Sequence, residues 1–323
     1  MSKLHRLIAA LLCVLAPCGH AVAQTTYPDK PVRFIVPYPP GGGTDVIARI
    51  VQGRLQALLG QSILIENRGG AGGSVGTELA AKSAPDGYTV LFTLSSHTIN
   101  PAIYPKLTFD TVKDFEPVGM VASLPQILVA HPGVPVNSVA ELIAVAKARP
   151  DFFSYASVGN GSPGHLAGEL MKLRAGVRMT HIPYRGGGPA VTDVMGGQVP
   201  LLWVSIPAAA QQVKAGKLKA LAVSTLKRSA AFPEVPTMAE AGVADFEVDS
   251  WYAMFVPART PKAVIERLNK ALNETVADAE VKARLLAQGS EGVGGTPEAL
   301  GRTVQAELPK WARLAKDAAI NAD

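Results

Sequence analysis

The stretch Phe34-Ile35-Val36-Pro37-Tyr38-Pro39-Pro40-Gly41-Gly42-Gly43-Thr44-Asp45 sets the class of fold. Apolar strand residues run into a Pro/Gly turn, and the turn opens a segment in which Val46, Ile47, Ile50, Val51, Leu55, Leu58 and Leu59 form one helical stripe. Thr44 or Asp45 is the expected helix cap, and Gly60 stands just past the expected helix end. The pattern recurs along the chain. Strands are expected at Val32–Pro37, Ile63–Asn67, Thr89–Thr93, Pro117–Ala122, Ile127–His131, Phe153–Val158, Met179–Tyr184, Leu201–Ser205, Leu218–Ser224 and Ala253–Pro257. Val264, Leu268, Leu272 and Val276 mark a helix after Pro261, and Pro309 should kink or break a last helix carrying Leu300, Val304, Leu308 and Trp311. Such alternation predicts an α/β fold with largely parallel sheets.

Composition agrees with folded domains. Of 323 residues, 48% are apolar and 18% charged, which excludes a disordered tail or a coiled coil, and the length suits two domains. Lys3 and Arg6 precede the apolar run Leu7 to Ala16, and Ala21-Val22-Ala23 fits a cleavage site, so residues 1–23 read as a secretory signal peptide. Leu15-Ala16-Pro17-Cys18 has the outline of a lipobox, but Pro17 stands where a small residue is wanted, and cleavage after Ala23 is preferred. Cys13 and Cys18 both fall in that segment, leaving a mature chain with no thiol and no disulfide. Removing Lys3 and Arg6 leaves 29 basic against 26 acidic residues, about +3, scattered with no run suited to nucleic acid. Only 6% of residues are aromatic, which also argues against base-stacking platforms.

No Ser/Gly linker divides the chain, so a discontinuous arrangement is expected, with crossovers around Leu124-Pro125-Gln126 and Asp249-Ser250-Trp251-Tyr252. One lobe then takes residues 24–124 and 250–323, the other residues 125–249. Chemistry is sought where glycines link a strand to a helix, because free backbone N–H groups and the helix dipole converge there on an anion. The Tyr38 to Asp45 loop is one such place. The other is Tyr155-Ala156-Ser157-Val158-Gly159-Asn160-Gly161-Ser162-Pro163-Gly164-His165, with Ser162 as cap and Pro163 as first helical residue. Facing each other across a cleft, the two loops would grip a carboxylate.

Two enzyme motifs compete with this reading. Gly159 to Gly164 fits G-x-G-x-x-G, but Arg185 stands near the place of the acidic ribose partner. Gly72-Gly73-Ser74-Val75-Gly76 fits a nucleophile elbow, making an exported α/β hydrolase with Ser74 as nucleophile the alternative. Against it, the last of the mature histidines His97, His131, His165 and His181 lies far from the C-terminus, where such a hydrolase places its catalytic histidine. The histidines are too dispersed to suggest a metal, no cofactor is expected, and His165 is read as packing or polarising its loop.

Many blocks of the chain together resemble the Bug or TctC family, extracytoplasmic receptors of tripartite tricarboxylate transport systems. They include Tyr27 to Arg33, Pro39 to Arg49, Glu66-Asn67-Arg68, Gly70 to Gly73, Asn100-Pro101, Tyr104-Pro105, Lys113-Asp114-Phe115, Ser162 to His165, Tyr184 to Ala190, Asp193, Gly196 to Val199 and Phe232 to Thr237. The resemblance implies a type II periplasmic-binding-protein fold: two Rossmann-like lobes joined by two crossover segments, closing on a small organic acid, often through bridging waters. It implies no enzyme and a periplasmic monomer that passes a di- or tricarboxylate, aromatic acid or acidic amino acid to transporter membrane subunits or a sensor. Carried onto this chain, Tyr38, Gly41, Gly42, Gly43, Thr44 and Asp45 would line one wall and Ser157, Asn160, Gly161 and Ser162 the other, with Ser95, Ser96 and Arg185 as further contributors. Two roles fit Asp45, selecting a ligand group or complementing its helix dipole. Arg185 is either a counter-ion for a second carboxylate or a solvated turn residue. Asp193 is expected to support the fold.

Overall fold

The computed structural model describes residues 27–123, 125–248 and 250–320. Residues 1–23, the expected signal peptide with Cys13 and Cys18, and Leu124 and Asp249 of the expected crossovers, lie outside the described residues. In chain order the elements are β1 (Val32–Val36), α1 (Gly43–Leu59), β2 (Ile63–Asn67), α2 (Ser74–Ala81), β3 (Thr89–Leu94), α3 (Ser96–Ile103), β4 (Phe115–Ser123), β5 (Gln126–Ala130), α4 (Val139–Ala148) and β6 (Ser154–Ser157). They continue with α5 (Pro163–Ala175), β7 (Thr180–Pro183), α6 (Gly187–Met195), β8 (Leu201–Ser205), α7 (Ile206–Lys214), β9 (Lys219–Val223), β10 (Trp251–Pro257), α8 (Lys262–Ala277), α9 (Ala279–Ala287), β11 (Gly292–Gly294) and α10 (Pro297–Asp317). A single 3₁₀ turn, Ala71–Gly73, precedes α2.

Two sheets give the molecule its two lobes. One has strand order β11-β4-β10-β3-β1-β2, the other β7-β6-β8-β5-β9. The expected strands all form, but the expectation of largely parallel sheets needs correction. β1 runs parallel to β2 and β3, and β6 runs parallel to β7 and β8. In contrast β10 is antiparallel to β3 and β4, β5 is antiparallel to β8 and β9, and the short β11 is antiparallel to β4. The cause is topological: β5 and β10 each enter a sheet directly from the other lobe, without the helical crossover that forces parallel pairing.

Burial follows the helical stripes. On α1, Ile47, Ile50, Val51, Leu55 and Leu59 are buried with Val32, Phe34 and Phe92, and on α8 Leu268, Leu272 and Val276 join them. Each such side chain contributes roughly 1.5–3 kcal/mol. Gly60 ends α1 in the left-handed region at φ 75°, its amide donating to the Gln56 carbonyl.

The last helix departs from expectation. Pro309 does not break α10, which runs for 21 residues. Its Leu300 and Val304 pack with Ile35, Leu91 and Phe255 of the first sheet. Its Trp311 and Ala315 belong to the apolar cluster that holds Leu128, Phe153 and Trp203 of the second lobe together with Ile99 and Ile103 of α3. Glu307 ties these parts together, accepting hydrogen bonds from Thr98 Oγ1 at 2.7 Å, Trp251 Nε1 at 3.0 Å and Trp311 Nε1 at 3.3 Å.

Candidate functional site

After β1, prolines at 37, 39 and 40 deny the chain further ladder bonds, and Gly41 turns it at φ 78° into α1. The helix is capped by Gly42 without any side chain, so neither Thr44 nor Asp45 is the cap. Asp45 instead reaches back. Its Oδ2 accepts from the Gly41 amide and from Arg49 Nε, both at 2.9 Å, and its Oδ1 accepts from Asn67 Nδ2 at 3.2 Å. Burial alone would raise this carboxyl, but the Arg49, Gly41 and Asn67 donors outweigh it and hold the group below the usual carboxylate range. Asp45 therefore braces the loop and supplies negative charge at the helix start. It lines neither of the chambers described below.

The second loop is braced in the same manner. Ser162 caps α5, its Oγ accepting from the His165 amide at 3.2 Å, and Pro163 is the first helical residue. The Gly161 amide donates to His165 Nδ1 at 3.2 Å, and the Gly159 amide to Ser157 Oγ at 3.1 Å. Ser157 Oγ also lies 2.7 Å from His181 Nε2. The rings of His165 and His181 stack with centroids 4.0 Å apart. Burial pushes His165 down to about 4 and His181 to about 3, so both are neutral near pH 7 and His165 Nδ1 can accept the Gly161 proton.

The two loops border one crevice. Its inner chamber, about 20 Å³, is bounded by Tyr38, Gly42, Gly43 and Thr44 from the first loop, Val158 and Pro163 from the second, and also Leu94, Gln126, Gly187 and Ser205. Such a volume admits one water-sized group at a time. The helices α1, α5, α6 and α7 all begin on it, through Gly43, Pro163, Gly187 and the cap residue Ser205. No charged side chain lines it. Four helix N-termini around such a pocket favour an anion over a cation, each dipole contributing about 0.3–2 kcal/mol.

Gly43 is the tightest point of this chamber. A Cβ there would lie closer than 3.0 Å to both Ser205 Oγ and Tyr252 Oη. Burial raises the Tyr252 and Tyr38 phenols far above their ordinary range, only partly countered by the hydroxyls of Ser205 and Ser96 beside them, so both remain protonated. Ser95 and Ser96 are fully buried and line neither chamber; Leu94 takes the position expected of them.

Tyr38 and Val158 also border an outer chamber of about 200 Å³, completed by Gly70 to Gly73, Tyr104, Gly159, Asn160, Pro183, Tyr184 and Arg185. Arg185 is exposed and pairs with no carboxylate among the described residues. Tyr184 donates to Asp193 Oδ2 at 2.7 Å, and its phenol is raised to about 12 by burial and by that carboxylate, which gives Asp193 a supporting role. Larger hollows lie elsewhere. One of about 350 Å³ sits by Ser123, Leu226 and Leu286, with Lys227 and Arg228 facing Glu247 and Glu291, and one of about 580 Å³ carries Glu116, Glu266 and Glu298 against Lys262 alone, a net negative lining.

Of the residues expected from sequence, Tyr38, Gly42, Gly43 and Thr44 meet at the inner chamber, and Asn160 and Arg185 at the outer one. Ser157, Gly161, Ser162, Gly41 and Asp45 hold the loops in shape from behind. Sequence reasoning overlooked Gly187, Ser205, Gln126 and Tyr104. A signal existed, because Gly186-Gly187-Gly188 and Ser205-Ile206-Pro207 are also strand-to-helix turns.

Among the described residues the elbow-like serine has no base beside it. Ser74 Oγ receives a hydrogen bond from Asn100 Nδ2 at 3.3 Å. His97 is enclosed by Phe109, Phe115 and Phe255, His131 accepts from the Gly133 amide, and His165 and His181 stack on each other. Among the described residues no group of three or more His, Cys, Asp or Glu is placed to hold a metal ion.

Residues 47–320 match the family described as "Tripartite tricarboxylate transporter family receptor". Protein BugT of Bordetella pertussis is 40% identical over 319 residues, 98% of each chain. The solved structure of the periplasmic binding protein BugD superposes with a TM-score of 0.88 at 37% identity, covering 91% of this chain and 99% of that one. The structure of Rpa4515 from R. palustris with adipate does so with a TM-score of 0.89 at 36% identity, again over 91% and 99%.

Proposed function

We infer, because the chain belongs to the tripartite tricarboxylate transporter receptor family, that this periplasmic solute-binding protein closes its cleft on a small organic carboxylate and delivers it to the membrane subunits of such a transporter. It is not an enzyme. The observation that carries the ligand class is the convergence of four helix N-termini on an inner chamber free of charged side chains. A carboxylate there takes up the first-turn amides of α1 and α6 and the dipoles of all four helices, the starts of α5 and α7 carrying Pro163 and Pro207 and the Ile206 amide being taken by the Pro125 carbonyl, without a lysine or arginine.

The outer chamber extends this reading to a ligand with two acidic ends. Arg185 stands at the mouth as an unpaired cation, suited to a second carboxylate. Among the described residues neither chamber is lined by Asp or Glu, which favours plain diacids over acidic amino acids. Adipate, seen with Rpa4515, has this chemistry. The proposed lobes are residues 24–124 with 250–323, and residues 125–249, after removal of residues 1–23 as a signal peptide.

The test is a thermal-shift screen of mono-, di- and tricarboxylates against the corresponding esters and amides. A true ligand at 100 times its Kd stabilises by about 2.7 kcal/mol through mass action. Acids are expected to raise Tm while their esters do not. A screen in which no carboxylate raises Tm, or in which esters match the acids, overturns the proposal.

A further inference from the structure

Away from the inner chamber, at the lip of the cleft, a direct hydrogen bond joins the two walls. The Asn160 carbonyl, from the second loop, accepts a hydrogen bond from Tyr104 Oη at 3.2 Å. It also lies against Gly72, where a Cβ would come closer than 3.0 Å to both the Asn160 oxygen and the Tyr104 hydroxyl. Gly72 is itself fixed: its carbonyl accepts from Tyr38 Oη and from Asn100 Nδ2, each at 3.1 Å. The Gly72 backbone adopts φ 60°, ψ 22°, a left-handed turn that keeps the residue close under the facing wall. Tyr104 terminates α3, and burial raises its phenol, so the hydroxyl is a permanent donor. Nearby, Gly42 faces Gly187 and Gly186 faces Pro39, so the walls meet along a seam of residues without side chains or with only a ring.

We propose that Tyr104 and the bare face of Gly72 form a socket for the Asn160 carbonyl, and that this socket holds the cleft closed in the absence of ligand, making Tyr104 the positioning residue that sets the open-to-closed ratio. The socket is built from a phenol, a glycine and a backbone oxygen. It is indifferent to the chemistry of the guest and acts on closure itself.

The test uses no ligand, so failure of the carboxylate reading leaves it standing. The chain beyond Cys18 has no cysteine, and exposed Ala84 and Ala148, beside the first and second sheets, accept paired spin labels as Ala84→Cys and Ala148→Cys. Pulsed-dipolar distance distributions of the unliganded protein are expected to contain a compact population. Tyr104→Phe should lower the compact-to-extended ratio roughly fivefold, the effect of one neutral hydrogen bond, with Tm unchanged within about 2 °C. Gly72→Ala should shift the distribution at least as far, and serves to show that obstructed closure registers. A wild-type distribution in Tyr104→Phe overturns the proposal, as does a wild-type protein with no compact population before ligand is added.

Discussion

Replacing Gly43 by Ala isolates the inner chamber from the rest of the molecule. Gly43 is the first residue of α1 and lies outside the left-handed region, so alanine adopts its backbone without strain and favours the helix by up to about 1 kcal/mol. The added methyl, however, sits closer than 3.0 Å to Ser205 Oγ and Tyr252 Oη, in a space of about 20 Å³. Ser205 can rotate away, whereas Tyr252 is wholly buried and has little room to move. The methyl and the displaced Ser205 then narrow the space in which the ligand's carboxylate is proposed to sit. Two charge-assisted hydrogen bonds lost at about 1.5 kcal/mol each come to about 3 kcal/mol, or more than a hundredfold in Kd. Isothermal titration with the acid found by thermal shift measures the loss, and a melt without ligand checks the fold. Affinity within threefold of wild type, at wild-type stability, would refute the assignment of this chamber to the carboxylate.

Arg185→Gln is expected to weaken a diacid two- to fivefold, more at 50 mM than at 500 mM salt, because the guanidinium is exposed and screened. A monoacid of equal length should be unaffected, and an equal loss for both acids removes Arg185 from the site. Acid should destabilise the fold through its buried histidines: burial pushes His97 and His165 down to about 4 and His181 to about 3. Their ordinary value is about 6.5, so below it the unfolded chain binds protons that the folded chain refuses. Stability is then complete above pH 6.5 and falls as pH drops toward the folded values, by about 2 kcal/mol per histidine at pH 5. Equal urea midpoints at pH 7 and pH 5 would contradict this.

The strands, the stripe on α1 and both glycine-rich loops are legible in the sequence because each depends on near neighbours: alternation, a 3.6-residue period, a proline beside a glycine. Sheet direction is not, since β5 and β10 run antiparallel only because they arrive from the opposite lobe. The division of labour within each loop is likewise tertiary. Nothing local says that the Gly161 amide is taken by His165, itself held neutral by burial and stacked on His181. Gly187 and Ser205 could have been found by one further step. β7 and β8 run parallel to β6, so their C-terminal turns open at the same edge of the sheet as the Ser157 to Ser162 loop.

Helix α10 alters how such a receptor can move. Two crossover strands alone let a clamshell gape widely, but here base and lid also share a rod, rooted through Leu300 and Val304 on one side and Trp311 and Ala315 on the other. Any wide swing must either bend this rod, where Pro309 already lacks an amide to anchor the turn, or pull Trp311 into water at about 4 kcal/mol. The excursion is therefore short. On the proposed function, such a short stroke would admit slender guests and turn bulky ones away at the rim, before any chemical recognition inside begins.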